Sequence, residues 1–229
     1  MSNPWEERAR RAVELARAYP FASELLHFYA EVSRFQASLQ GSRDAAGFAL
    51  FLAMVERAGT SELATRAREL RAGAALPEDV SATGADAFFA RAFLQPHFAD
   101  GTCPGCADWQ RHAVCGVLRE QRAGAGETAA DGAARSLVCA FCLRQRPFRR
   151  AVCPACGNED GERLVLYTAG QFPHIRVEAC EDCRVYVKTV DVRMDNRAIP
   201  DVDELAAAPL DLWARQRGYR KLIANLLGF

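Results

Sequence analysis

Eight of the nine cysteines of this 229-residue chain stand in Cys-x-x-Cys pairs, all of them after residue 102. The four pairs are Cys103/Cys106, Cys139/Cys142, Cys153/Cys156 and Cys180/Cys183. Two intervening residues let both sulfurs of a tight turn face one ion, and two such turns supply the four thiolates of a tetrahedral site. The spacing therefore predicts two metal sites with four thiolate ligands each.

The simplest grouping of the pairs follows the order of the chain. Site one is then Cys103, Cys106, Cys139 and Cys142, and site two is Cys153, Cys156, Cys180 and Cys183. Each site would enclose one hairpin, as in a zinc ribbon or a rubredoxin-like unit. Interleaved pairing is an alternative. A further alternative joins His112 and Cys115 to the first pair in a Cys3His site, but it leaves the last pair without partners.

Four thiolates suit either zinc or a single iron ion, and the ligand type does not separate the two. A closed four-sulfur zinc site has no open position for a substrate and would be structural, whereas a single iron could carry an electron. Because hairpins this short have little hydrophobic core, either metal should stabilise this half of the protein. Under the sequential grouping, Cys115 is a small buried packing residue.

The overall composition argues against several classes of function. The 29 basic and 29 acidic residues balance, which gives no global attraction to nucleic acid or to membranes. The sequence has neither a run of about 18 apolar residues nor a secretory signal at residue 1, so we expect a cytoplasmic protein without membrane insertion. It also lacks the phosphate-binding loop, the His-Glu-x-x-His motif and the Gly-x-Ser-x-Gly motif, so we expect no catalytic residues and no enzymatic activity.

Residues 1 to about 96 are helical in pattern. Asn3 can cap a first helix that has Pro4 at its first position. Apolar periodicity predicts further helices at 23–40, 45–55, 60–73 and 85–94. Short connections between these segments favour an antiparallel bundle.

The pattern changes near residue 97, where β-prone runs begin to alternate with the cysteine pairs. These runs predict strands at 135–138, 163–167, 174–178 and 185–192, with a flexible loop at 124–132. Helices return after Pro200, with Asp201 and Glu204 as a capping box and a kink at Pro209. The predicted fold class is α+β: a helical bundle (1–97), two rubredoxin-like metal modules (98–150 and 151–200) and C-terminal helices (201–229).

With the pairs in place, the chain resembles the formate dehydrogenase accessory protein FdhE family over nearly its whole length. The resemblance rests on the residues around the four pairs, above all on the Cys-x-x-Cys-x-x-Tyr-x-Lys pattern that ends at Lys188. The segments are Cys103-Pro-Gly-Cys, Leu137-Val-Cys-Ala-Phe-Cys, Arg150-Ala-Val-Cys-Pro-Ala-Cys and Glu178-Ala-Cys-Glu-Asp-Cys-Arg-Val-Tyr-Val-Lys.

This resemblance implies a cytoplasmic maturation factor that binds the catalytic subunit of formate dehydrogenase before export. It also implies two ions per chain, with rubredoxin-type iron favoured over zinc. The chain departs from the family pattern at Ala107, which follows the first pair, at Arg146, where the family has an aromatic residue, and in an Ala- and Gly-rich insert at 124–132.

Two other functions remain open. A rubredoxin-like electron-transfer protein would need the iron, although the large helical region favours docking as part of the role. A zinc-ribbon nucleic-acid-binding protein would use a local basic cluster that lies between the two sites. The cluster is Arg144, Arg146, Arg149 and Arg150. The balanced total charge argues against nucleic acid as a partner.

Overall fold

The computed structural model describes residues 3–39, 43–73, 76–77, 85–100, 103–108, 110–120 and 133–228. The loop predicted at 124–132 lies outside these residues. The chain divides into two compact units: Met1–Pro104 with Leu226–Gly228, and Gly105–Asn225 with Phe229. The division into four domains stays a prediction. No helix in the described part of the chain is both long enough and apolar enough to cross a membrane.

The first unit is helical, as predicted, and Asn3 caps its first helix. The helices are α1 (Pro4–Ala18), α2 (Ser23–Ser38), α3 (Ala45–Ala58), α4 (Ser61–Gly73) and α5 (Ala85–Leu94). The Asn3 side chain accepts a hydrogen bond from the Trp5 amide at 3.0 Å. The ring of Phe51 packs against Phe48, Phe88, Phe89 and Phe93. α3 is not buried on all sides, because the side chain of Leu50 is 65% exposed.

The second unit is built on one mixed sheet. Its strands are β1 (Ala113–Glu120), β2 (Ala133–Cys139), β3 (Gln145–Pro147), β4 (Leu164–Thr168), β5 (Ile175–Cys180), β6 (Val185–Asp191) and β7 (Arg220–Lys221). The order across the sheet is β3-β2-β1-β6-β5-β4, and β7 pairs with β6. β1 with β2, and β4 with β5, are antiparallel hairpins, one inside each set of four cysteines. The α+β class is therefore confirmed, although β1, β3 and β7 were not predicted.

A parallel pairing of β1 with β6 joins the two ribbons into this single sheet. Gly116 of β1 lies opposite Thr189 of β6, and a Cβ at Gly116 would come within 2.3 Å of the Thr189 hydroxyl oxygen. Glycine is therefore the residue that lets the two strands approach here. Beside it, Cys115 is fully buried in a hydrophobic cluster with Val117 and Val138.

Two helices follow the sheet, α6 (Pro200–Ala206) and α7 (Ala208–Gln216). The predicted capping box of Asp201 and Glu204 is wrong. Ile199 is the N-cap residue, and its amide donates to the Asp203 carboxylate at 2.8 Å. The helix breaks at Ala207, just before Pro209, as that proline predicted.

Candidate metal centres

The eight paired cysteines form two groups of four, and the grouping is sequential. The sulfurs of Cys103, Cys106, Cys139 and Cys142 all lie within 4.8 Å of one another, as do those of Cys153, Cys156, Cys180 and Cys183. The interleaved and Cys3His arrangements are not formed. Cys115 lies in the hydrophobic cluster under β1, and the Nδ1 atom of His112 is 2.9 Å from the Asp108 carbonyl oxygen.

Three of the four pairs are shaped by the same backbone turn. In each turn the amide after the second cysteine donates to the carbonyl of the first, from Leu143 to Cys139, from Gly157 to Cys153 and from Arg184 to Cys180. The donor residue has a positive φ in every case: 58° at Leu143, 77° at Gly157 and 56° at Arg184. Because side chains with a Cβ disfavour this conformation, Leu143 and Arg184 are held there by the turn.

The first pair is built differently. Pro104–Cys106 form a short 3-10 helix, and Ala107 is not among the described residues with positive φ. Gly105 lies against the ring of Phe141, to which a Cβ at Gly105 would come within 2.2 Å. The first pair is therefore positioned by packing against the second pair's loop.

The geometry fits a tetrahedral ion in both groups. Metal–sulfur bonds of about 2.3 Å at a tetrahedral ion place neighbouring sulfurs about 3.8 Å apart. The observed separations are 3.5 Å for Cys106 and Cys142, 3.7 Å for Cys153 and Cys183, and 3.8 Å for Cys156 and Cys180. Disulfides need a sulfur–sulfur distance near 2 Å, and all nine cysteines are free.

Burial divides the eight cysteines in a regular way. The first cysteine of every pair is buried, whereas the second is half-buried or, at Cys156, exposed. Each pair thus presents one sulfur from the core and one from the surface.

At Cys180, burial raises the thiol pKa, but the Cys183 and Asp182 amides and the Asn158 side chain outweigh this effect and lower the pKa to about 7. Amide donors of this kind favour the thiolate that a metal needs.

A buried guanidinium lies beside site two. Arg135 of β2 is 3% exposed and pairs with Glu178 of β5 at 2.5 Å. It also donates to the Arg149 carbonyl at 3.0 Å. Its pKa is lowered by burial, while Glu178 and the thiol of Cys153 act in the opposite direction. Four thiolates around one divalent ion carry net negative charge, which Arg135 can offset.

The structure also reveals a buried charge cluster that the sequence analysis missed. Lys188 of β6 is completely buried and donates to Asp211 at 2.6 Å and to the Glu204 carbonyl at 2.6 Å. Lys221 pairs with Glu204, and Tyr186 donates to Asp211 at 2.7 Å. The cluster fastens α6 and α7 to the sheet. The signal in the sequence was one lysine inside the otherwise uncharged run Val185-Tyr-Val-Lys-Thr-Val.

The carboxylate of Glu204 is held in its charged form. Burial by itself raises the pKa of Glu204, but the ammonium groups of Lys188 and Lys221 overcome this effect and lower it to about 2. Burial lowers the pKa of Lys221, and Glu204 and Asp211 outweigh it, so the net pKa is raised. Both shifts follow from opposite charges that face one another away from water.

Residues 151–227, which carry site two and this cluster, match the family model described as FdhE, C-terminal domain. The Protein FdhE homolog of Aquifex aeolicus is 34% identical over 96 residues, which are 42% of this chain and 34% of that protein. The Protein FdhE homolog of Shewanella oneidensis is 29% identical over 126 residues, 55% of this chain and 37% of that protein. The matched part of the chain is similar to the C-terminal domain of FdhE proteins. The matched regions span about a third of the length of these relatives.

A solved structure of an FdhE protein has the same fold. The crystal structure of the FdhE protein from Pseudomonas aeruginosa aligns with a TM-score of 0.66, over 98% of this chain and 95% of that one, at 20% identity. The alignment therefore covers both units, including the helical half that the FdhE family model does not match.

The arginines between the two sites do not form one uniform patch. Arg149 is tied to Glu159 by two hydrogen bonds, of 2.5 and 2.7 Å. Arg144 and Arg150 are exposed, and the side chain of neither has a hydrogen bond or ion pair within the described part of the chain. Arg146 is half-buried in β3. Exposed guanidinium groups are thus available beside both sites.

Proposed function

We propose that this chain is a cytoplasmic accessory factor for the maturation of formate dehydrogenase, that it holds two tetrathiolate metal ions and that it binds the catalytic subunit of that enzyme. The observation that carries this proposal is the FdhE C-terminal domain at 151–227 together with two complete sets of four cysteines. The role is that of a binding protein rather than an enzyme, because a tetrahedral ion with four thiolates has no position left for a substrate.

In this proposal the metal ligands are Cys103, Cys106, Cys139 and Cys142 in site one, and Cys153, Cys156, Cys180 and Cys183 in site two. Sulfur separations near those of a tetrahedron support this assignment in both groups. The bound ions would fix the turns from which the ribbons are built. We assign iron in preference to zinc from the family resemblance, since the donor set accommodates both.

A second candidate function is electron transfer by a rubredoxin-type iron. The exposed thiol of Cys156 favours it, because a ligand at the surface gives an electron a short path to the ion. Absorption spectra of aerobically purified protein distinguish the two metals. An iron tetrathiolate absorbs visible light, whereas the zinc form is colourless.

The partner is tested by affinity capture from the native cell with identification of the captured chains. We expect the formate dehydrogenase catalytic subunit with the intact protein, and loss of capture when Cys139 or Cys180 is replaced by serine. The exposed Arg144 offers a finer test, since rim charges act mainly on association rate and its salt dependence. Arg144→Glu should weaken capture most at low salt and leave the metal content unchanged.

Measurements of formate oxidation test whether the chain is an accessory factor or an enzyme. The purified chain should not oxidise formate, and cells without its gene should lose formate dehydrogenase activity. Formate oxidation by the isolated chain, or normal activity in cells that lack the gene and any paralogue, would contradict the proposal.

A further inference from the structure

The two edges of the sheet differ in how they are protected against pairing with another strand. The edge strand β3 has three residues, and they include Pro147 and the charged Arg146. Proline and charge are the usual means of blocking an exposed edge. The opposite edge strand, β4, has five residues with the sequence Leu-Val-Leu-Tyr-Thr, without proline or charge.

The edge of β4 is also open and apolar. Among the described residues, β4 pairs only with β5, so its other side has no strand beside it. Leu166, at its centre, is 56% exposed. An uncharged edge strand with a large exposed apolar side chain is a surface to which an extended segment can add.

A cavity of about 360 Å³ lies next to this edge and lies wholly within the second unit. Leu164, Val165 and Leu166 of β4 form one wall, and Val185 and Val187 of β6 contribute to another. Its volume falls in the range of cavities that bind small ligands or single large side chains. A strand added beside β4 would place alternate side chains next to Leu164 and Leu166, at the opening of this cavity.

The charge around the cavity selects the chemistry of the occupant. Three arginines and one glutamate line it, namely Arg135, Arg150, Arg176 and Glu178, together with Cys153 and Cys180 of site two. Glu178 is already shared by two guanidinium groups, at 2.5 Å from Arg135 and 2.8 Å from Arg176. Arg150 has no hydrogen bond or ion pair in the part of the chain that the structure describes, so its positive charge is available to a ligand.

We propose that the edge of β4 and its cavity bind an extended segment of a partner polypeptide, in which apolar side chains alternate with carboxylates. The backbone of the segment pairs with β4, one apolar side chain enters the cavity, and a carboxylate meets Arg150. Main-chain hydrogen bonds supply affinity in this mode, and the pocket and the charge supply specificity. The surface goes beyond the proposed function, because it defines the segment without requiring that the partner be formate dehydrogenase.

The test uses the full metal-loaded chain and three fluorescein-labelled peptides, with binding measured by fluorescence anisotropy. The first peptide alternates valine with glutamate, the second replaces glutamate by lysine, and the third carries a central proline. We expect saturable binding of the first peptide only. The lysine peptide loses the charge match, and the proline peptide loses a main-chain donor.

Two leucines of equal exposure supply a matched pair of variants. Leu166 on β4 and Leu212 on α7 are each 56% exposed, but only Leu166 lines the cavity. Leu166→Lys should weaken binding of the acidic peptide by about tenfold or more, although it adds a positive charge, because the apolar anchor is lost. Leu212→Lys should leave it unchanged. Arg150→Glu should slow association, with the effect greatest at low salt.

Results that differ from these expectations contradict the proposed peptide-binding site. Absence of saturable binding, or equal binding by the two lysine variants, overturns it. A wild-type dimer that Leu166→Lys converts to a monomer, without peptide binding, would show that the occupant is a second copy of this chain. Since no formate dehydrogenase is present in this assay, its failure leaves the proposed function standing. Unchanged metal content in the variants shows that they are folded.

Discussion

The two ribbons have the same four-cysteine plan but differ in how their sites are fixed. In the second ribbon, both pairs use the turn with positive φ, at Gly157 and Arg184, and strand β6 continues into the buried cluster under α6 and α7. In the first ribbon, only the pair before Leu143 uses this turn, and the other pair depends on the contact of Gly105 with Phe141. The FdhE family model matches the second ribbon alone. The comparison teaches that identical ligand spacing can rest on unequal backbone support.

Loss of a metal ligand is the largest effect that we expect. Serine at Cys139 should empty or loosen site one, and serine at Cys180 should do so at site two, because a hydroxyl is a weak ligand. Structural zinc sites contribute about 10–16 kcal/mol of binding free energy. The Cys180→Ser variant should also unfold more broadly, since β6, which follows this site, carries Lys188 of the buried cluster under α6 and α7. Elemental analysis and urea denaturation measure the two effects.

The control for these variants is Cys115→Ser, which lies outside both groups. It should retain two ions per chain, although a buried hydroxyl will lower its stability somewhat. Loss of one ion from this variant would instead support the Cys3His arrangement with His112. Equal loss of stability in the Cys139→Ser and Cys180→Ser variants would show that the two ribbons are supported alike.

The next effect concerns the buried charge cluster of Lys188, Lys221, Glu204 and Asp211, which adjoins the second ribbon. Glu204→Gln should lower the free energy of unfolding by about 3 kcal/mol near neutral pH, because it leaves two buried ammonium groups short of a carboxylate. The folded pKa of Glu204 is about 2, below its ordinary value of 4.5, so its contribution is fully present above pH 4.5 and is lost as the pH falls toward 2. The difference between wild type and variant should therefore shrink across this window in urea titrations. A difference independent of pH would contradict this account.

Glycine substitutions test directly how each ribbon supports its cysteine pairs, by packing in the first ribbon and by the turn with positive φ in the second. Gly105→Ala in the first ribbon forces a Cβ against Phe141 and should cost about 2 kcal/mol. Gly157→Ala in the second meets no atom within 4 Å but must adopt a φ of 77°, which should cost about 1 kcal/mol. Thermal unfolding of the metal-loaded variants measures both. The comparison would be reversed if Gly157→Ala proved the more damaging change.

The smallest expected effect is a difference in the rate of metal loss. With an excess of chelator, site one should release its ion a few times faster than site two, because fewer backbone bonds hold its first pair. Release can be followed in the Cys139→Ser and Cys180→Ser variants, each of which retains one site. Faster release from site two would show that the exposure of Cys156 matters more than the turns.

The sequence by itself determined the local features of this protein. The spacing of the pairs predicted both groups of four cysteines, because a two-residue separation allows few other geometries. The runs between the pairs predicted β2 of the first hairpin and both strands of the second, and Asn3 with Pro4 predicted the start of the first helix. The changes in sequence pattern near residues 97 and 200 predicted the boundaries between the helical segments and the β-prone segment. All of these signals act between residues that are near one another along the chain.

Tertiary structure alone decided how these parts combine. The parallel pairing of β1 with β6 was not predicted, because β6 begins at Val185 and no local pattern records a pairing over such a distance. The capping box at Asp201 and Glu204 failed for the same reason. Glu204 is drawn into the core by Lys188 and Lys221, which outweigh the local preference of a carboxylate for a helix end. The cavity beside β4 likewise exists only once four strands and the 150–154 segment are assembled.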